Sequence, residues 1–208
     1  MPQSADLRWP PLLCEVLLEA KRHGFLGPGD VQDHLRHSAG FARWVGAPDH
    51  AVDLGSGGGV PGLARAVLWP ASTWTLLDSS ERRTEHLRRA VSRLGLRDRV
   101  TVVTERAETF ARGSARGEYD LVVARSFGPP AVTAECAAPL LHVGGRLVVA
   151  EPPGGDPARW PQSGLDHLGL RPVASVSSPI ALQVLELAGT MPDAYPRRVG
   201  VPAKRPLF

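Results

Sequence analysis

From residue 49 onward, short β-rich runs alternate with helical stretches, and this alternation leaves few architectures open. Strands are predicted at 50–54 (HAVDL), 73–77 (TWTLL), 99–103 (RVTVV), 119–124 (YDLVVA) and 145–150 (GRLVVA). Helical patterns separate them at 61–69, 79–94, 105–111 and 130–141. Consecutive strands joined by helices imply crossover connections, hence an α/β fold with a mostly parallel sheet covered on both faces. Another helix is expected over 156–168. The runs "LRPVASVSS" and "IALQVLELA" then read as two last strands folded into an antiparallel hairpin near Pro179, which makes the sheet seven-stranded.

Before the first strand the chain reads as helical. Residues 9–23 carry apolar side chains at helical spacing, with prolines at the start where a helix tolerates them. "GPGD" breaks that pattern, and 29–45 reads as one or two short helices. After Met191 the sequence "MPDAYPRRVGVPAKRPLF" holds four prolines and too little periodicity for a core element. The expected organisation is a helical extension (1–46), an α/β domain (47–190) and a basic, proline-rich tail (191–208) packed on or beside it.

Composition excludes some classes. The first residues lack the basic-then-apolar order of a secretory leader, and no run approaches the roughly 18–20 apolar residues of a membrane span. Cys14 and Cys136 are the only cysteines, which suits a reducing cytoplasm, the compartment expected here. A net charge of +3 permits an acidic partner without requiring one. Nearly all the positive charge is arginine, which a coding bias toward Ala, Arg and Pro would also produce.

The chemistry is concentrated in "AVDLGSGGGVPGL", residues 51–63. In an open parallel sheet, ligands sit beyond the carboxyl ends of the strands, where the strand order reverses. Gly55, Gly57 and Gly59 let backbone approach a ligand closely, Ser56 lies among them, and Pro61 suits the first turn of a helix with free N–H groups. Either a dinucleotide or S-adenosyl-L-methionine could use such a turn. Asp53 separates them: a carboxylate repels pyrophosphate and attracts an α-ammonium, directly or through water. Asp78, 25 positions on and followed by Ser79, is placed for ribose hydroxyls. Glu108, after Ala107, is expected near the adenine unless it is a solvated helix-face charge. The set favours S-adenosyl-L-methionine, and with it the class I, Rossmann-like methyltransferase fold.

After the fourth strand comes Ala124-Arg125-Ser126-Phe127, without the Asn/Asp-Pro-Pro-aromatic order used on exocyclic amines; Glu151-Pro152-Pro153 imitates that order after the wrong strand. Arg125 cannot act as a base, since its guanidinium stays charged, but it can hold a phosphate or a guanine edge. It is the candidate for positioning the substrate. A ring nitrogen with an in-plane lone pair needs no deprotonation, so alignment and exclusion of water can supply the catalysis.

"VDLGSGGGVPGL", "LLDSSERRTEHL", "ERAE", "VVARSF" and "YPRRVGVPAKRPL" together resemble the bacterial 16S ribosomal RNA guanine-N7 methyltransferases, also called glucose-inhibited division protein B. The resemblance runs from about residue 31 onward. It implies a cofactor turn at Asp53, Gly55 and Gly57, a ribose acid at Asp78, an adenine border at Ala107-Glu108, and a pocket-lining role for Arg125. It also implies that the basic tail serves RNA, through Arg197, Arg198, Lys204 and Arg205. The partner is then 16S ribosomal RNA or a small-subunit precursor, met by a monomer without membrane contact. Three positions depart from the family pattern: His37 stands where it has Asp, Arg82 where it has Lys, and Glu151-Pro152 where it has Lys-Gly.

His34 and His37, three apart, lack a third ligand at metal-site spacing and read as an ordinary helix face. Arg82, Arg83, Arg88, Arg89 and Arg93, interleaved with acids, read as a solvated face. The tail can lie along phosphates or pack over the domain through Tyr195 and Phe208, and both can hold. Other readings are a small-molecule methyltransferase, an RNA-binding protein without turnover and, last because of Asp53, a nicotinamide dehydrogenase.

Overall fold

The computed structural model describes residues 8–41 and 44–208. The expectations for the first seven residues and for 42–43 lie outside it. Helix α1 spans Pro11–Arg22, with Pro11 in the first turn where a missing N–H costs nothing. Helix α2, Val31–Gly40, begins at a capping box in which the Asp30 carboxylate accepts the Asp33 N–H at 2.7 Å and Asp33 reaches back to Asp30.

The sheet follows as β1 (His50–Leu54), β2 (Thr73–Asp78), β3 (Val100–Thr104), β4 (Tyr119–Ala124), β5 (Leu141–Ala150), β6 (Leu170–Val176) and β7 (Leu182–Leu187). Their order in space is β3-β2-β1-β4-β5-β7-β6, parallel except for β7, which runs antiparallel to both neighbours. The order reverses between β1 and β4, the one place where neighbouring crossovers leave to opposite sides.

Among the described residues six further α-helices complete the fold: α3 (Gly62–Leu68), α4 (Glu81–Arg93), α5 (Ala107–Phe110), α6 (Pro130–Ala137), α7 (Gln162–Asp166) and α8 (Val201–Lys204). The period-two alternation of each strand divides the interior into two cores. Ala51, Leu76, Val123 and Val148 face one side, where α3 and α4 share them with Leu13, Leu17 and Leu35 of the first two helices. The helical extension is therefore continuous with the sheet's own core. Val52, Leu77, Val122 and Leu147 face the other side with Ala134 and Leu165, and Tyr195 and Phe208 of the tail pack there.

Several boundaries differ from expectation. β5 starts four residues early, at Leu141, because "HVGG" continues the strand where its glycines suggest a turn. The helix expected over 156–168 breaks into a 3-10 turn at Pro157–Arg159 and the short α7, since Pro161 lacks the N–H that continuation needs. No helix among the described residues is long and apolar enough to cross a membrane.

Candidate active site

The turn between β1 and α3 sits at the reversal of strand order. Gly55 takes a φ of +76°, which glycine adopts without strain, and the N–H groups of Gly55 and Ser56 both donate to the Leu77 carbonyl at 2.9 Å. Strand parity turns Asp53 toward α3, where its Oδ2 accepts the Gly62 N–H at 2.9 Å. A side chain at Gly62 would collide with that carboxylate. One expectation is thereby corrected: the first amide of the helix is not free for a ligand, because Asp53 holds it. Asp53 is 1% exposed, and its Oδ1 is buried without a protein partner. Burial pushes this carboxyl up to about 7, against the Gly62 N–H and the Arg125 charge, which favour ionisation.

Asp78 closes β2 beside the turn. Its Oδ2 accepts the Gly57 N–H and its Oδ1 the Ser80 N–H, both at 2.9 Å, with Arg83 3.6 Å away. A carboxylate has about four acceptor positions, so some of its capacity remains after these two bonds.

A cavity of about 390 Å³ opens next to this acid, within the size range of small-molecule sites. Of the sequence-predicted residues, Gly55, Asp78, Ser79, Ala107 and Glu108 form its wall. Asp53, Ser56, Gly57, Gly59, Pro61 and Arg125 do not line it. Ser56 is buried, its hydroxyl donating to the Asp53 carbonyl at 3.0 Å, and Gly59 packs on Leu63 and Leu87. Phe127 and Ala203, which lie in the quoted motifs without a predicted cofactor role, also line the cavity, as do Val132 and Cys136, which no motif announces.

Glu108 is buried, so it is no solvated helix-face charge. It accepts the Gly200 N–H at 2.9 Å and thereby ties the tail to the cavity wall. Ser126 has a φ of +56°, the only positive value outside glycine among the described residues. Around that kink Arg125 reaches back to α2, while Phe127 packs over Gly55.

The tail is docked by charge as well as by Tyr195 and Phe208. Glu135 on α6 is 0% exposed and accepts Nε and Nη2 of Arg197 at 2.8 and 2.6 Å, plus the Arg197 backbone N–H at 2.8 Å. Arg112 and Arg116 donate to the Pro196 and Tyr195 carbonyls at 2.7 Å. Arg197 is thus not a free tail cation, as its grouping with the RNA-facing residues supposes. Arg198, Lys204 and Arg205 are exposed, and none pairs with a carboxylate among the described residues.

Along α4, Arg83, Arg89 and Arg93 pair with Asp78, Glu85 and Glu15/Glu19. The Glu151 carboxylate pairs with Arg159, so the charge reversal at that position is neutralised inside the chain. No group of three metal-ligating side chains occurs among the described residues.

The strand order, with an acid–glycine turn at its reversal, is that of the class I, Rossmann-like methyltransferases. Solved structures with this fold include a methyltransferase from Geobacter sulfurreducens (17% identity, TM-score 0.61, 88% of this chain and 93% of that one). A SAM-dependent O-methyltransferase from Thermotoga maritima matches at 16% identity and a TM-score of 0.58, over 85% and 72% of the two chains. The particular family follows from sequence: residues 28–151 match the model of rRNA small subunit methyltransferase G, and the chain belongs to that family. Relatives named ribosomal RNA small subunit methyltransferase G include those of Chloroflexus aggregans (36% identical, 85% of this chain and 78% of that one) and Syntrophomonas wolfei (31%, covering 93% and 96%).

Proposed function

We propose that the protein transfers a methyl group from S-adenosyl-L-methionine to N7 of a guanine in 16S ribosomal RNA. One observation chiefly supports this: the segment matched to the family, 28–151, contains the acid–glycine turn, Asp78, Glu108 and Arg125 together. The donor set suits the cofactor. Asp78 has acceptor positions left for the ribose hydroxyls. Ala107 and Glu108 border the adenine, and Gly55 and Ser79 bring backbone and hydroxyl close to the cofactor, while Gly57 acts one step back by holding the Asp78 carboxylate. Asp53 acts from behind the turn, so its unpartnered Oδ1 reaches the ammonium through water and not by contact. Ser56, Gly59 and Pro61 shape the turn and touch nothing bound.

When bound, the cofactor supplies its sulfonium methyl group to the N7 lone pair, and the S–C electron pair returns to sulfur. The chain needs no general base for this, because N7 of guanine carries no proton. Arg125 orients the acceptor, and Phe127 over the turn keeps water from the reacting atoms. Ala203 lines the cavity, and the exposed Lys204 and Arg205 follow it directly in the chain, with the exposed Arg198 shortly before. These three cations hold the RNA backbone. The protein works in the cytoplasm as a monomer on ribosomal RNA or a small-subunit precursor, with 1–46, 47–190 and 191–208 as extension, catalytic domain and tail.

Incubation of small-subunit particles, or of free 16S RNA, with methyl-labelled cofactor is expected to place the label on a guanine. Label confined to a small metabolite, or absent from RNA of both kinds, would overturn the assignment. Replacing Arg198, Lys204 and Arg205 together by Ala is expected to lower the slope of log affinity against log salt by about 2 to 3, leaving cofactor affinity unchanged. An unchanged salt slope in RNA titrations would remove these residues from the interface.

A further inference from the structure

Arg125 is held from the side opposite the cavity. Its Nη2 lies 2.6 Å from Nδ1 of His34 on α2, and Nε2 of the same ring lies 3.2 Å from the Gly27 carbonyl oxygen. A guanidinium has five donors and no lone pair, so Nδ1 must be the bare nitrogen and Nε2–H must donate to Gly27. The ring is 2% exposed, which leaves water no part in choosing this tautomer. The contact joins the helical extension to the end of β4, across 91 residues of sequence. Nη1 of Arg125 is buried and unpartnered, as is Oδ1 of Asp53.

We propose that His34 is a positioning residue, whose neutral, Nε2-protonated ring fixes the Arg125 guanidinium at the mouth of the sheet and releases it when the ring gains a proton. The inference rests on the reading of Arg125 as the residue that orients the acceptor. A second proton on His34 would set an N–H against an N–H at 2.6 Å and place two cations side by side. Arg125 at β4 and Lys21 from α1 oppose that proton, whereas Asp33 on α2 favours it. His37, one turn along α2, adds no charge near neutrality, because burial and the neighbouring Arg125 and His34 push its ring down to about 4. Asp53 on β1 acts on the guanidinium itself and favours its charge. Burial, ahead of these charges, lowers His34 below the ordinary imidazole range, so the clamp stays closed at neutral pH and opens on the acid side.

The test begins without turnover. Imidazole ¹⁵N spectra of the unliganded protein are expected to show His34 at neutral pH with a proton on Nε2 and none on Nδ1. In Arg125→Met, which removes the cation and the donor, the ring should titrate nearer the ordinary imidazole range. Methyl transfer followed against pH should then show an acid limb in kcat. His34→Asn, which retains an acceptor and cannot titrate in that range, should keep activity and lose the limb. His34→Leu should lower kcat by about tenfold or more with little change in cofactor affinity. A proton on Nδ1 at neutral pH, a titration indifferent to Arg125→Met, or an acid limb that survives in His34→Asn would each overturn the clamp. Should the spectra couple the two residues while Arg125→Met methylates at the parental rate, the acceptor-orienting role of Arg125 fails and the clamp stands.

Discussion

Asp53→Asn is expected to give an unliganded protein that is more stable than the parent at pH 8 and unable to hold S-adenosyl-L-methionine. The carboxyl is enclosed by α3 and the turn, and burial raises it to about 7 from the 3.8 of a free aspartate. Between about pH 4 and 7 the unfolded chain therefore gives up a proton that the native state keeps. Stability falls as pH rises through that window, and above 7 the native state carries the whole penalty. Three pKa units correspond to about 4 kcal/mol, the upper bound on what the neutral amide recovers. Asn retains an oxygen for the Gly62 N–H, so the start of α3 keeps its bond. What it loses is the charge that draws the cofactor's ammonium. Thermal melts at pH 5 and 8 with calorimetric cofactor titrations would settle both halves. The idea sinks if the two proteins show the same pH dependence of stability, or if the variant binds cofactor as the parent does.

Arg197→Ala is expected to destabilise the fold by about 3–5 kcal/mol, roughly 10 °C in melting temperature, because it strands a buried carboxylate. Glu135 has no exposure and takes three N–H groups from this one residue, two from the guanidinium and one from the backbone. Its attraction also raises the Arg197 guanidinium above its usual range. Removing both charges, as in Glu135→Leu with Arg197→Met, should recover most of the loss, since a well-packed apolar pair avoids the desolvation that the ions incur. RNA affinity in Arg197→Ala should change only as far as the fold does, with the salt slope intact. A variant that melts within about 2 °C of the parent, or one whose salt slope drops by about 1, would return Arg197 to the RNA-facing set.

The sheet was legible because each strand carries its own apolar run and each crossover its own helical period, both local signals. The same parity that sorts Ala51 from Val52 also puts Asp53 and Arg125 on the side of the helical extension. Local patterns misled where two signals compete: Gly144-Gly145 reads as a turn although β5 runs through it, and the apolar spacing of 156–168 hides the helix-breaking Pro161. The acid–glycine turn could be read from its spacing, but which of its members face the cavity could not. Asp53 and Ser56 look like ligand contacts in sequence and are buried, Asp53 against α3 and Ser56 against the end of β1. The pairs Arg125–His34 and Arg197–Glu135 lie 91 and 62 residues apart, and nothing in either segment names its partner. Such contacts exist only once the topology has formed.

The reversal of strand order has an entropic side. Gly55, Asp78 and Glu108 belong to β1, β2, β3 and their crossovers, which assemble between neighbours in the chain. Phe127, Val132 and Ala203 arrive only after β4 has crossed to the far edge of β1 and the last helix has docked. Long-range pairings of that kind carry a larger loop-closure cost than contacts between neighbours in sequence. The glycine loop is thus held by neighbours in the chain, whereas the chamber beside it is closed only by segments far along the sequence.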